Sequence, residues 1–151
     1  MALFIGTHEN KIDRKGRVSL PADYRAELPT EDDRAIFIFP SLYIPALEAC
    51  DKAQLELHSQ RINALDQFSQ EEAYFSAQIL AEARKISIDG DGRIVLPAEF
   101  MTRANIDGKA LFVGGGPKFH IWQPGAYAEH REITQKALTG RTLPSLTGPT
   151  S

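Results

Sequence analysis

A block of thirteen residues occurs twice in this chain, and this repeat constrains the fold more than any other feature. Residues 12–24 read IDRKGRVSLPADY, and residues 88–100 read IDGDGRIVLPAEF. The offset is constant, since 89 − 13, 93 − 17 and 97 − 21 all equal 76. Seven of the thirteen positions are identical, namely those of Ile12, Asp13, Gly16, Arg17, Leu20, Pro21 and Ala22. The chain is therefore a tandem duplication.

The period of the repeat favours two halves that build one compact unit. A period of 76 residues exceeds the roughly 20 to 50 residues of a solenoid repeat, and only two copies are present. A chain of 151 residues can bury a sizeable core without disulfides or metals. We expect a first repeat with its helix over residues 1–62 and a second repeat with its helices over 63–138. The composition of residues 139–151 predicts a flexible tail.

Local patterns predict an α+β protein in which each half repeats one design. Each copy of the block predicts a β-hairpin, whose turn places Gly16 or Gly92 at a positive φ, and then a short helix over 21–28 or 97–103. Further strands are predicted over 34–39, 109–113 and 119–122, and further helices over 46–58, 69–85 and 124–133. Ser69 and Glu72 are typical of a capping box that opens a helix. Cys50 is predicted to pack on the helix over 46–58.

Charge is distributed unevenly between the two copies. The whole chain has a net charge of −3. Residues 10–25 hold five basic and two acidic side chains, or +3, which leaves −6 for the rest. Residues 86–101 hold one basic and three acidic side chains, or −2. A basic tip on an acidic body attracts an anionic polymer at one place, and the repulsion elsewhere sets its orientation.

The remaining composition argues against other classes of protein. A single cysteine forms no intrachain disulfide and suits a reducing cytoplasm, and no apolar stretch is long enough for a signal peptide or a membrane span. Residues 89–92 lack the further oxygen ligands of a calcium loop, and residues 114–118 fit neither phosphate-binding glycine spacing. No paired histidine spacing and no nucleophile elbow is present. We therefore expect a soluble cytoplasmic protein with no catalytic centre, no metal and no cofactor.

The repeated block resembles the MraZ family, whose relatives are the AbrB and SpoVT transcription factors. The resemblance is carried by Asp13-x-x-x-Arg17 and Asp89-x-x-x-Arg93, each followed by a strand and Leu-Pro-Ala, and by the run Lys118–Trp122. It implies a pseudo-symmetric double-split, swapped-hairpin β-barrel with flanking helices, in which the two copies interlace. It also implies a homo-oligomeric ring. The ring is expected to bind short direct repeats in double-stranded DNA and to regulate the division and cell-wall gene cluster from the nucleoid.

The same resemblance assigns residues to the DNA interface. It points to Arg14 and Lys15 in the first turn, to Arg17 of the motif, and to Arg25 in the short helix. The motif positions Asp13, Gly16, Asp89, Gly92 and Arg93 are expected to hold the turns. Gly90, Asp91 and Met101 replace the basic residues in the second copy, which disfavours DNA contact there.

Each of these assignments has a structural alternative. Asp13 with Arg17, and Asp89 with Arg93, can pair across their turns, and for Arg93 we favour this scaffold role. Arg14 and Lys15 can belong to an ordinary solvated turn, and Arg25 to an ordinary helix surface. An AbrB-like antitoxin or protein-interaction module is the alternative function, with the tail over 139–151 as the segment that would bind a partner.

Overall fold

The structure is a computed structural model that describes residues 1–30 and 34–146. Its strands are β1 (Thr7–Lys11), β2 (Arg17–Ser19), β3 (Ala35–Pro40), β4 (Leu47–Cys50), β5 (Arg84–Ser87), β6 (Arg93–Val95), β7 (Lys109–Gly114) and β8 (Lys118–Trp122). Its α-helices are α1 (Ala22–Arg25), α2 (Lys52–Asn63), α3 (Gln70–Phe75), α4 (Ala98–Arg103) and α5 (Pro124–Ala137). A π-helical segment, Ser76–Leu80, continues α3. The predicted α+β class is confirmed.

The strand order records the duplication. The main sheet has the order β1-β7-β8-β4-β3-β5, and all of its neighbouring strands are antiparallel. The counterparts in the two repeats are β1 and β5, β3 and β7, and β4 and β8. When each strand is exchanged with its counterpart, the result is the same order read from the opposite edge of the sheet. The two halves are therefore related by a pseudo-twofold axis between β4 and β8. Both repeats contribute strands to one sheet, so neither contains the whole sheet.

The predicted hairpins are correct at their turns and wrong in their strand pairing. The bridge between Ile12 and Val18 closes the first turn, and the amide of Asp89 donates to the carbonyl of Arg93 in the second. Beyond the turns the strands part, because β1 pairs with β7 while β2 pairs with β6 in a separate two-stranded ribbon. Each pairing joins the first repeat to the second. The described strands thus form a sheet and a ribbon without a hydrogen-bonded ladder that closes them into a barrel.

The helix predicted over 46–58 is wrong in its first six residues. Leu47–Cys50 forms β4, a central strand between β3 and β8, and three of its four residues are buried. Burial in the sheet outweighs the helical preference of Ala, Leu and Glu. The helix starts at Lys52, where the carboxylate of Asp51 accepts a hydrogen bond from the amide of Gln54 at 2.9 Å. Cys50 is buried as expected, but on a strand, and burial raises its pKa to about 12.

The helix predicted over 69–85 begins where expected and ends early. Ser69 accepts a hydrogen bond from the amide of Glu72 at 3.1 Å, which confirms Ser69 as the cap. The reciprocal half of the predicted capping box is wrong, because the Ser69 amide donates to the carbonyl of Asp66 at 2.9 Å. The π-helical turn ends at Leu80, and residues 84–87 form β5 against β3. The helix therefore ends early because residues 84–87 are extended and pair with β3 at the edge of the sheet.

Two apolar clusters hold these elements together. The larger lies between the main sheet, the ribbon and the short helices, and includes Phe4, Tyr24, Phe112 and Phe119. The smaller lies under α2 and α3, around Phe39, Ile62 and Ile79. Residues 139–146 contain no helix or strand and are exposed, while residues 147–151 of the predicted tail lie outside the described residues. In the part of the chain that the structure describes, no helix has the length and apolar character needed to cross a bilayer.

Candidate nucleic-acid interface

The first turn is built around the carboxylate of Asp13. One carboxylate oxygen accepts hydrogen bonds from the amides of Lys15 and Arg17, each at 2.9 Å. The other accepts from Nε of Arg17 at 2.6 Å. Gly16 completes the turn at φ +81°, in the left-handed region that glycine adopts without strain. The hydrogen bond from the Arg17 amide is the main reason that the pKa of Asp13 is lowered, although its slight desolvation acts in the opposite direction.

The second turn has the same set of hydrogen bonds around an aspartate, which we call the turn frame. Asp89 accepts hydrogen bonds from the amides of Asp91 and Arg93 at 2.9 Å and from Nε of Arg93 at 3.1 Å. Gly92 has φ +78°. The Asp, Gly and Arg of the repeated motif therefore organise a turn in both repeats. This is the scaffold role that the sequence favoured for Arg93.

The side chains at the tips distinguish the two turns. Arg14 and Lys15 are exposed, and their side chains make no hydrogen bond or ion pair within residues 1–30 and 34–146. The equivalent positions hold Gly90 and Asp91, and the Asp91 carboxylate lies 3.2 Å from Nη2 of Arg93. The first tip is positively charged, whereas the second carries Asp91, which forms an ion pair with Arg93 of the same turn.

The β2–β6 ribbon brings the two motif arginines onto one surface. Its register pairs Arg17 with Val95 and Ser19 with Arg93, so these four residues share a face. Val18 and Ile94 alternate with them and are buried. Because the strands are antiparallel, the two turns lie at opposite ends of the ribbon. Arg17 therefore stands beside the first tip on an outward-facing surface, with its side chain one-third exposed.

Reciprocal hydrogen bonds fix each turn to the other repeat. The amide of Leu20 donates to the carbonyl of Gly92 at 2.9 Å, and the amide of Leu96 donates to the carbonyl of Gly16 at 2.9 Å. The position of each turn on the surface is thus set by the neighbouring repeat. Sequence inspection did not find Ser19 and Val95 on this surface, although the two-residue period of the strand after each turn is a signal for them.

Arg25 is half-buried and packs against the second turn. Its Nη1 donates to the carbonyl of Leu20, and its own carbonyl accepts from Nη2 of Arg34 at 2.8 Å. A Cβ atom at Gly92 would lie 2.7 Å from Nη1 of Arg25. Met101, the counterpart of Arg25, has its terminal methyl 3.7 Å from the Cβ position of Gly16. The structure therefore places Arg14, Lys15 and Arg17 together and places Arg25 at the opposite turn.

Residues 1–30 and 34–146 contain no group of three or more His, Cys, Asp or Glu side chains that could hold a metal ion. The chemistry of this surface is that of cations and hydrogen-bond donors. Guanidinium and ammonium groups on an exposed turn recognise anions such as phosphate and the acceptor edges of bases.

Comparison with known proteins identifies the family. The family model described as "MraZ protein, putative antitoxin-like" matches residues 3–75 and 79–139, once for each repeat. The chain is 40% identical to the Transcriptional regulator MraZ of Rickettsia akari (strain Hartford), over 90% of this chain and 91% of that protein. It is 42% identical to the protein of the same name from Rickettsia bellii (84% and 85%) and 37% identical to that of Pelagibacter ubique (89% and 86%). The repeat structure, the turn motif and the similarity over most of the chain agree, and the chain belongs to the MraZ family.

Proposed function

We propose that this protein is a transcriptional regulator that binds double-stranded DNA through its first turn. The observation that carries the proposal is the exposed pair Arg14 and Lys15, held beside Arg17 by a turn that Asp13 makes rigid. The relatives are named transcriptional regulators, which supports a regulatory role and a non-enzymatic one. The proposed function places the protein in the cytoplasm, in association with the nucleoid.

Direct contact with bases is assigned to the arginines. The major groove admits a two-stranded β element, and a guanidinium binds the two acceptors of guanine bidentately. Lys15, a compact charge at the tip, is assigned to phosphate. Arg17 uses Nε for the turn, which leaves its terminal nitrogens for DNA. Arg25 is assigned to support the second turn, and the second tip, which is acidic, is assigned no contact with DNA.

A ring of protomers allows a contact of only a few side chains in each protomer to give tight binding to DNA. Each neutralised phosphate contributes only about 0.9 to the dependence of log K on log salt, so one turn binds weakly. Once one turn is bound, a neighbouring turn meets the next DNA repeat at an effective concentration that reaches roughly millimolar. We therefore propose that a homo-oligomeric ring binds short direct repeats, and that its target is the division and cell-wall gene cluster.

The swapped-hairpin barrel is the tertiary arrangement that we propose for the two repeats. The palindromic strand order and the reciprocal hydrogen bonds between the turns support it. At one junction Nδ2 of Asn10 in β1 donates to the carbonyl of Ser19 in β2 at 2.7 Å, although these strands form no ladder. This side-chain bond would link the sheet to the ribbon where a barrel must close.

The test removes the tip charges and leaves the turn frame intact. Arg14→Ala with Lys15→Ala is expected to lower affinity for the DNA upstream of the protein's own gene by at least about a hundredfold, because several turns bind together. Gel-shift titration at two salt concentrations measures the affinity, and light scattering measures the assembly, which should not change. Lys52→Ala with Arg141→Ala removes the same charge from α2 and from the segment after α5, and serves as the control. Equal affinities of the tip variant and the wild type would refute the proposal.

A further inference from the structure

Helix α5 carries an apolar stripe along its whole length, but only the first half of the stripe is covered. The stripe consists of Ala126, Tyr127, His130, Ile133, Ala137 and Leu138, which recur at helical spacing. Near the start of the helix, the ring of Trp122 packs 5.4 Å from that of Tyr127 and 4.8 Å from that of His130. Every residue from Arg131 to Leu138 is exposed, including Ile133 at 65% and Leu138 at 64%. The first half of α5 therefore packs on the sheet through Trp122, and the second half projects past this contact into solvent.

The counterpart helix in the first repeat has the cover that α5 lacks. Helix α2 packs against α3 and the π-helical segment around Phe39, Ile62 and Ile79. Within the described residues the chain after α5 forms no helix, so no equivalent pair covers the second half of α5. The duplication thus leaves one helix partnered and the other with an exposed apolar face.

An open groove lies beside the partnered helix. A cavity of about 640 Å³ is bounded by α2, α3 and the ends of β3, β4 and β8. Its apolar lining includes Phe39, Leu42, Ile62, Leu65, Phe75 and Ile79. Tyr43 stands at the edge and is 84% exposed. This groove has the apolar character that accepts one face of an amphipathic helix.

Opposite charges are available at one end of the two surfaces. The groove is lined by Arg61 and Lys118 as well as by Glu71, and its acidic end is the first turn of α3, where Glu71 and Glu72 stand without a basic residue. Arg131 and Lys136 lie on either side of the exposed stripe of α5, at about 100° and 120° from its centre for a helix of 3.6 residues per turn. A helix that inserts its stripe into the groove can therefore place a basic residue near the acidic turn of α3.

From these observations we infer that the second half of α5 docks into the α2–α3 groove of a second copy of this chain. The inference rests on the homo-oligomer of the proposed function and names its contacting surfaces. The inserted surface belongs to the second repeat, and the groove belongs mainly to the first. The contact is therefore heterologous, and such head-to-tail contacts generate a ring when the rotation between copies closes. Ile133 is the central apolar anchor, and Tyr43 is its neighbour at the groove edge.

The experiment introduces one charge on each surface. Ile133→Glu and Tyr43→Glu change exposed side chains, so neither disturbs the core. Each variant alone is expected to raise the dissociation constant of subunit association by at least about tenfold. Mixed at equal concentrations, the two variants retain one intact contact between them and should form a 1:1 dimer that grows no further. Light scattering and native mass spectrometry measure these masses. Gln135→Glu, on the opposite side of α5, is the matched control and should assemble as the wild type does.

The outcomes separate this inference from the proposed ring. A wild-type oligomer whose mass persists in both Glu variants would overturn the docking and leave the ring in place. A wild-type protein that remains monomeric at micromolar concentration would overturn both. Monomeric single variants that do not pair on mixing would overturn the head-to-tail contact, because each then still holds one intact surface.

Discussion

Single residues show which parts of the motif build the turns and which are left exposed for the proposed recognition of DNA. Asp13 and Asp89 accept the same set of hydrogen bonds, and the arginine four residues later closes both turns. The identical positions therefore define a common frame. The exposed tip positions differ, since Arg14 and Lys15 of the first copy correspond to Gly90 and Asp91 of the second, whereas the buried positions change only between similar side chains.

Another group of residues joins the two repeats away from the turns. Glu48 on β4 lies between His120 on β8 and His58 on α2, with Nε2 to carboxylate distances of 3.4 Å and 3.5 Å. Nε2 of His58 is buried without a well-formed hydrogen bond, so its effect on Glu48 is weaker than that of His120. Burial alone would raise the pKa of Glu48, but the close approach of Nε2 of His120, and then of His58, outweighs it and lowers the pKa from 4.5 to about 2.

This lowered pKa predicts an acid-sensitive contribution to stability. Because the folded pKa lies below the unfolded value of 4.5, the contribution of Glu48 is complete above pH 4.5 and is lost as the pH falls towards 2. Glu48→Gln should lower the free energy of unfolding at pH 6 by about 2 kcal/mol, after allowance for solvent screening. The gap between variant and wild type should close on acidification. Urea unfolding at several pH values measures this gap.

The control for this prediction is Glu56→Gln, an exposed change on α2. This variant should follow the wild type at every pH. A Glu48→Gln variant whose stability stays parallel to that of the wild type from pH 6 to pH 2 would show that the histidines do not stabilise the carboxylate.

At the level of elements, sequence patterns located most of the structure, and long-range pairing decided the rest. The strands β3, β7 and β8, the cap at Ser69 and the start of α5 were predicted because their signals are local. The strand β4 was missed because its Ala, Leu and Glu residues favour a helix, and only its neighbours β3 and β8 make it a strand. The hairpin turns were predictable from Gly16 and Gly92. The separation of their strands was not predictable from local signals, because it depends on partners in the other repeat, from 93 − 19 = 74 to 113 − 7 = 106 residues away.

The second turn offers a gain-of-function prediction. Gly90→Arg with Asp91→Lys gives it the tip of the first turn, and a Cβ at Gly90 meets no heavy atom within 4 Å. DNA affinity should rise, and the dependence of log K on log salt should steepen by about 0.9 for each added phosphate contact. Gel-shift titration across a salt series provides the measurement. Gly90→Gln with Asp91→Gln removes the acid without adding a cation and is the control.

This prediction separates two roles for the second turn. If it can reach the duplex, the basic variant exceeds the neutral control in both affinity and salt slope. Identical slopes for the two variants would contradict the prediction and would show that the second turn faces away from DNA. The thermal midpoint should stay near that of the wild type, because the frame around Asp89 retains its backbone hydrogen bonds.

For the molecule as a whole, the sequence predicted the charge of the candidate DNA-binding surface better than the set of residues that form it. The exposed pair Arg14 and Lys15 follows from charge and turn patterns. The inward placement of Arg25 does not, because its partners are Leu20 and the second turn, which meet it only in the folded chain. The shared face of Arg17 and Arg93 likewise depends on the pairing of β2 with β6.

Interlaced strands predict that neither repeat folds alone. Separate fragments 1–78 and 79–151 divide the chain between the two matched regions. Fragment 1–78 lacks β7 and β6, the partners of β1 and β2, and fragment 79–151 lacks β3 and β4, the partners of β5 and β8. Each fragment at micromolar concentration should give a poorly dispersed amide NMR spectrum. An equimolar mixture should give the dispersed spectrum of the intact protein, because the missing strands are then supplied in trans.

The full chain, cut after folding at a protease site introduced after Gln78, is the control and should keep its dispersed spectrum. A monomeric fragment 1–78 that unfolds cooperatively would contradict the shared core. A homodimeric fragment 1–78 would support it, because β3 of the second copy could replace its counterpart β7, and β2 could replace β6. The oligomeric state of this fragment thus tests whether the two repeats occupy equivalent places in one pseudo-twofold unit.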